Sequence, residues 1–165
     1  ENGQTRWERQ FEGGGGFTDI DAPPALDTGR LYIALFDGPL LAISRENGKT
    51  VWKIDLGSGS QIAREGGILY VSGSRGVLHA VNKESGEIPW KKEVGPGALT
   101  APVVYKDVVV VGLSDATMNF LRREDGHLMY RRFARKGISS DPVLSEDRLF
   151  YFSNGGRLYS LKMIR

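Results

Sequence analysis

Apolar residues run through this chain in short blocks set off by Gly, Asn, Asp and Lys. The blocks Leu31–Phe36 and Val108–Val111 are apolar on both faces, which predicts elements covered from both sides. Their length, β-branching and flanking turns favour strand over helix. The stretch from Pro102 onward reads as strand (Pro102–Tyr105), turn (Lys106-Asp107), strand (Val108–Val111), strand (Met118–Arg122), turn (Glu124-Asp125-Gly126) and strand (Leu128–Phe133). Asn-Gly and Asp-Gly supply the positive φ angles that tight hairpins need.

The pattern repeats. Glu1-Asn-Gly-Gln-Thr-Arg-Trp7, Glu46-Asn-Gly-Lys-Thr-Val-Trp52, Glu84-Ser-Gly-Glu-Ile-Pro-Trp90 and Glu124-Asp-Gly-His-Leu-Met-Tyr130 place a glycine at intervals of 45, 38 and 40 residues. The apolar blocks beginning at Leu31, Leu69, Val109 and Leu149 recur at 38, 40 and 40. Two independent markers with one period define a repeat. A four-stranded unit of that size with two apolar faces must stack on its own copies, and radial stacking gives an all-β propeller of antiparallel blades. The expected blades are 22–56, 57–94, 99–135 and 138–165, within a single domain of 165 residues. Trp7, Trp52, Trp90 and Tyr130 are expected to wedge between neighbouring blades.

The last unit, Arg157 to Arg165, ends at a third strand, whereas residues 1–12 begin with a turn-and-Trp strand. Joined, the two would reproduce the pattern of Ala42 to Trp52. Residues 1–12 are therefore expected to form the outer strand closing the last blade, which covers an edge that would otherwise invite aggregation. Either four blades close as such, or the chain is half of an eight-bladed ring that two copies complete by exchanging terminal strands.

Composition narrows the function classes. The 22 basic and 20 acidic side chains leave a net charge of +2, which argues against nucleic acid as a partner. There is no cysteine, so disulfides, thiolate catalysis and cysteine-ligated zinc are excluded. No apolar run approaches the roughly 18 residues of a helical membrane span.

Ala42-Ile-Ser-Arg-Glu-Asn-Gly-Lys-Thr-Val-Trp52 and Ala80-Val-Asn-Lys-Glu-Ser-Gly-Glu-Ile-Pro-Trp90 resemble the tryptophan-docking repeat of pyrroloquinoline-quinone-like propellers, A-x-D-x-x-T-G-x-x-x-W, with Ser44 and Asn82 in place of its Asp. Thr18-Asp-Ile-Asp-Ala-Pro-Pro24, the compressed link Leu56–Tyr70, Leu99–Tyr105 and Gly156–Leu161 are similar to the BamB family, periplasmic lipoproteins of the outer-membrane β-barrel assembly machinery. The resemblance covers the whole chain but only the C-terminal half of an eight-bladed family member. It implies a non-catalytic scaffold in the periplasm at the outer membrane, binding a POTRA domain of BamA. It also implies no cofactor, and membrane attachment only through a lipid anchor outside these residues. The alternative is a ligand-binding or enzymatic propeller fragment of the quinone-dependent dehydrogenase type. That chemistry needs a calcium site, a catalytic aspartate and adjacent cysteines.

Asp19 and Asp21 lie two apart, so on extended backbone both carboxylates project from one side, about 6–7 Å apart. The resemblance implies that they contact the POTRA domain, against the plainer reading of two solvated loop aspartates. Two carboxylates do not supply the six to eight oxygens of a calcium site. They are far enough apart for a glycosidase pair, but nothing raises one pKa against the other. The basic run Tyr130-Arg-Arg-Phe-Ala-Arg-Lys136 reads as a solvated outer strand with Glu124 and Asp125 close by. His79 and His127 are single imidazoles without the companions that a metal site requires. Gly13–Gly16 lacks the Lys-Ser/Thr pair and helix of a phosphate loop and reads as a flexible link. No Ser-His-Asp arrangement is supported by spacing.

Overall fold

The computed structural model describes residues 3–11, 22–35, 38–56, 59–115 and 117–164. Among these, fifteen strands form four antiparallel sheets that follow one another in chain order. The first blade is β1 (Ala25–Leu26), β2 (Arg30–Ala34), β3 (Pro39–Ser44) and β4 (Thr50–Asp55). The second is β5 (Gly59–Glu65), β6 (Ile68–Gly73), β7 (Val77–Asn82) and β8 (Trp90–Glu93). The third is β9 (Val103–Tyr105), β10 (Val108–Leu113), β11 (Thr117–Arg122) and β12 (Leu128–Phe133). The fourth is β13 (Val143–Ser145), β14 (Arg148–Ser153) and β15 (Arg157–Lys162). Among the described residues, no helix is long and apolar enough to cross a membrane.

Burial follows strand position. The middle strands β2, β3, β6, β7 and β10 are buried through consecutive residues, whereas β4 alternates, turning Trp52 and Ile54 inward and leaving Val51, Lys53 and Asp55 exposed. A strand with a blade on either side needs apolar residues on both faces, and one at the rim needs them on one.

The core lies between blades. Tyr32, Leu40 and Ala42 of the first blade pack on Leu69, Val71 and Val81 of the second. Tyr70, Leu78 and Ala80 of the second pack on Val109, Val111 and Leu121 of the third. Val110 and Met118 of the third pack on Leu149 and Tyr151 of the fourth, with Ala134 and Ile138 filling the seam. Each fully buried aliphatic side chain contributes about 1.5–3 kcal/mol, so the seams hold the blades in place.

The two ends of this stack differ. The outward face of the first blade, Ile33, Leu35, Leu41 and Ile43, is buried, with Phe11 packed against it. On the far face of the fourth blade, Val143, Phe152 and Leu158 are 61%, 54% and 60% exposed. Residues 3–11 lie outside every strand, and the fourth sheet ends at β15. Within the described chain, therefore, the outer strand that the sequence assigns to residues 1–12 is not paired with the last blade.

Candidate functional site

Three indoles sit at the outer rim in one geometry. Trp7 Nε1 donates to the Arg45 carbonyl at 2.9 Å, Trp52 Nε1 to the Lys83 carbonyl at 3.0 Å, and Trp90 Nε1 to the Arg123 carbonyl at 3.0 Å. In each case the acceptor stands three residues before a turn glycine, and the indole covers that glycine. A Cβ at Gly48 would fall 2.8 Å from the Trp7 ring, one at Gly86 3.0 Å from Trp52, and one at Gly126 2.6 Å from Trp90. These glycines also hold φ angles of 70°, 78° and 70°, so both backbone conformation and indole proximity exclude a side chain. The turns carry one bonding pattern, in which Gly48, Gly86 and Gly126 donate their N–H to the carbonyls of Ser44, Asn82 and Arg122, each at 2.9 Å. At Asn82, where the repeat usually carries Asp, Oδ1 accepts from the backbone N–H of Glu84 at 2.8 Å and of Ser85 at 3.2 Å. An amide oxygen thus fulfils the acceptor role open to a carboxylate.

Tyr130 occupies the equivalent position in the third blade. Its ring lies 5.6 Å from that of Phe120, and the residue is 56% exposed. Conversely, Gly3, which opens the first repeat, has no atom within 4 Å of where a Cβ would stand. Between β12 and β15 runs a groove of about 400 Å³, lined by Phe120, Met129, Tyr130, Ser160, Leu161 and Ile164 among others. A matching groove of about 440 Å³ lies at the preceding seam, lined by Ile68, Pro89, Trp90 and the docked-turn residues Arg122, Arg123 and Glu124.

A charged cluster ties the first blade to the second. Lys83 Nζ meets Asp27 Oδ2 at 2.6 Å, Arg64 stands 3.7 Å from the same carboxylate, and Arg30 Nη1 meets Glu84 Oε2 at 2.7 Å. Arg30 also donates to the Lys83 carbonyl at 3.0 Å, the oxygen that receives the Trp52 indole. The hydrogen bond from Lys83, then that from the Thr28 backbone, hold the Asp27 pKa down at about 2. The same pairing raises that of Lys83. Sequence reasoning missed this cluster because its members come from different blades, Lys83 standing 56 residues from Asp27 and Glu84 54 from Arg30.

Asp19 and Asp21 lie outside the described residues, as do Gly13–Gly16. The basic run sits on β12 and its exit, with Arg131 Nε donating to Asn119 Oδ1 at 2.9 Å and Nη2 to the Val94 carbonyl at 3.0 Å. Arg132 lies 5.8 Å over the Tyr159 ring. His79 is buried on β7, its pKa lowered by desolvation and by the Lys91 charge, and its Nδ1 has no partner among the described residues. His127 is exposed in the turn after β11. Among the described residues, no three His, Cys, Asp or Glu side chains gather as a metal site. The surface that results is a rim of clamped turns, charged between blades and apolar at its open end.

A family model described as outer membrane protein assembly factor BamB matches residues 37–164. The protein of that name from Escherichia coli K12 is 25% identical over 169 aligned positions, which take in 98% of this chain and 43% of that protein. The chain thus spans less than half the length of this relative. Among solved structures, the computationally designed Ika4 protein superposes with a TM-score of 0.82 at 16% identity, over 98% of this chain and 99% of that one. BamB from Moraxella catarrhalis superposes with a TM-score of 0.74 at 20% identity, over 87% of this chain and 47% of that one. At these identities the structural matches speak for the fold, a β-propeller.

Proposed function

Because the chain belongs to the family of the outer membrane protein assembly factor BamB, whose model matches residues 37–164, we propose that it is a non-catalytic protein-interaction scaffold in outer-membrane protein assembly. The family match is the observation that carries this reading. The blade seams support it, since a set of sheets fixed by buried side chains and clamped turns presents its loops rigidly. A rigid partner surface forfeits little conformational entropy on binding.

The scaffold works in the periplasm at the outer membrane. Its partner is a POTRA domain of BamA, met by the segment that contains Asp19 and Asp21, where paired carboxylates would engage Arg or Lys of the partner. A second copy of the chain brings the blade number to eight.

A pull-down with a BamA POTRA fragment tests the partner. Retention of the unaltered chain, with loss of retention in the Asp19→Ala/Asp21→Ala variant at unchanged melting temperature, is the expected result. Equal retention of both would remove the aspartates from the contact, and no retention of either would remove BamA as the partner.

A further inference from the structure

The internal repeat makes each seam between blades a control for the next. Arg45, Lys83 and Arg123 are equivalent positions, since their backbone N–H groups bond to the carbonyls of Gly29, Gly67 and Asp107 in turn. Arg30 and Ile68, each directly after one of those turns, also pair alike, with Ser44 and with Asn82. The charged cluster of the first seam therefore has a counterpart one period on, in which Glu65 stands for Asp27, Arg123 for Lys83 and Glu124 for Glu84. Glu65 and Arg123 keep the ion pair, at 3.8 Å. The fourth member is exchanged: where the first seam has Arg30, the second has Ile68.

That exchange leaves a set of acceptors without their donor. In the first seam Arg30 Nη1 reaches the Lys83 carbonyl at 3.0 Å, the Glu84 carbonyl at 3.2 Å and Glu84 Oε2 at 2.7 Å, beside the Trp52 indole. In the second seam Ile68 offers no donor, and the groove of about 440 Å³ lies between Ile68, Tyr70, Pro89 and Trp90 and the docked turn of the third blade. That volume falls within the range of small-ligand pockets. Both sheets that bound it are complete, with four strands each. Arg122 and Arg123 line the groove, but Asp125 holds Arg122 through two bonds and Arg123 faces Glu65. Asp107 and Glu124 line it as well, and among the described residues neither is in an ion pair. The groove therefore offers an apolar wall, free acceptors and surplus negative charge.

We propose that this groove receives an arginine side chain of a partner polypeptide, whose guanidinium takes the place that Arg30 fills in the first seam. The guanidinium donates to the Arg123 and Glu124 carbonyls and to the Glu124 carboxylate, and its methylene stem lies along Ile68 and Pro89. A planar fork of donors serves carbonyl and carboxylate oxygens together, which the point charge of a lysine does less well. The Trp90 indole donates to the same Arg123 carbonyl, so its N–H senses the incoming cation. The groove shares no residue with the segment of Asp19 and Asp21, so this site and the BamA contact succeed or fail separately.

The probe is the peptide acetyl-Gly-Arg-Gly-amide, titrated into the 165-residue chain while the indole N–H resonances are followed by NMR. Trp90 is expected to shift saturably, and Trp52, whose seam already holds Arg30, to stay in place. The same peptide with citrulline, close in shape but uncharged, is expected to bind at least about tenfold more weakly, as is the arginine peptide to Glu124→Gln. Exchanging the two seams gives the sharper result. Ile68→Arg is expected to silence the Trp90 response, and Arg30→Ile to make Trp52 respond, with circular dichroism checking that each variant is folded. Glu124→Gln, at an exposed position, decides the matter where an exchange variant does not fold. Equal shifts of the two indoles, a shift without saturation, citrulline binding as tight as arginine, a Trp90 response that survives Ile68→Arg, or a silent Trp52 in folded Arg30→Ile would each overturn the proposal.

Discussion

The Trp90 indole rests on Gly126 so closely that a Cβ on the glycine would fall 2.6 Å from the ring, while its Nε1 reaches the Arg123 carbonyl of the same turn. One side chain thereby reads both the conformation and the position of the next blade's turn. Because Gly126 has a φ of 70°, alanine there meets the left-handed backbone cost of about 1–2 kcal/mol and must also displace the indole. Gly126→Ala is expected to lower unfolding stability by about 2 kcal/mol or more, read from the midpoint of urea denaturation.

Trp52 separates the two parts of the same contact. Phenylalanine keeps a ring against Gly86 and Tyr32 but loses the bond from Nε1 to the Lys83 carbonyl. That carbonyl keeps the Arg30 guanidinium as a donor, so it is not left bare. Trp52→Phe is expected to cost about 1 kcal/mol and Trp52→Ala about 3–5 kcal/mol. Equal losses in the two denaturation curves would show that the hydrogen bond and not the ring secures the blade.

The clamp explains why so much of the fold could be read from residues alone. Glu-Asn-Gly followed by Trp names both a turn and the aromatic that docks on the next one, and the same spacing sets the blade period, so the all-β propeller was legible. The Asp27, Lys83, Arg30 and Glu84 cluster was not, since it depends on how far one blade is rotated against the next. His79 was legible only as a single imidazole without metal-site companions; its burial beside Gly73, where a Cβ would fall 2.8 Å from the imidazole, comes from a side-chain position that sequence spacing does not fix. Of the candidate site, the rim aromatics carry a pattern and were named. The groove beside β15 carries none, being lined jointly by two blades whose packing sequence spacing does not fix.

His79 gives the fold a pH dependence with a definite sign. Burial and the Lys91 charge lower its folded-state pKa below the ordinary 6.5. As pH falls through about 6.5 the unfolded chain takes up the proton first, so stability declines from there down to the folded-state value and then levels. The melting temperature is expected to be lower at pH 5.5 than at pH 7.5, and His79→Leu to flatten that difference. An unchanged slope in the variant would assign the dependence to other groups.

Asp27 acts in a lower window. With its pKa held at about 2, against an ordinary 3.8, its pairing with Lys83 stabilises the fold fully above the ordinary value and is lost as pH falls towards 2. Asp27→Asn is expected to lower the melting temperature at pH 7, and the gap to the unaltered chain to close near pH 2. Added salt is expected to narrow the gap at pH 7, because the cluster is partly open to solvent.

A cofactor-dependent propeller and a scaffold differ in one inexpensive measurement. A ligand that binds only the native state raises stability by RT ln(1 + [L]/Kd), about 2.7 kcal/mol at a hundredfold excess over Kd, and the melting temperature follows. Quinone-dependent chemistry of the dehydrogenase type would draw on pyrroloquinoline quinone with calcium, whose ion takes six to eight oxygen ligands. Among the described residues some carboxylates are held in ion pairs, Asp27 with Lys83 and Asp125 with Arg122, the latter bidentate at 2.9 and 2.7 Å. A carboxylate committed to a cation in this way has to give up that partner before it can bind a metal. The quinone and calcium, added together to the 165-residue chain, are expected to leave its melting temperature unchanged. A dose-dependent rise would transfer the chain from the scaffolds to the ligand-binding propellers, whatever the pull-down shows.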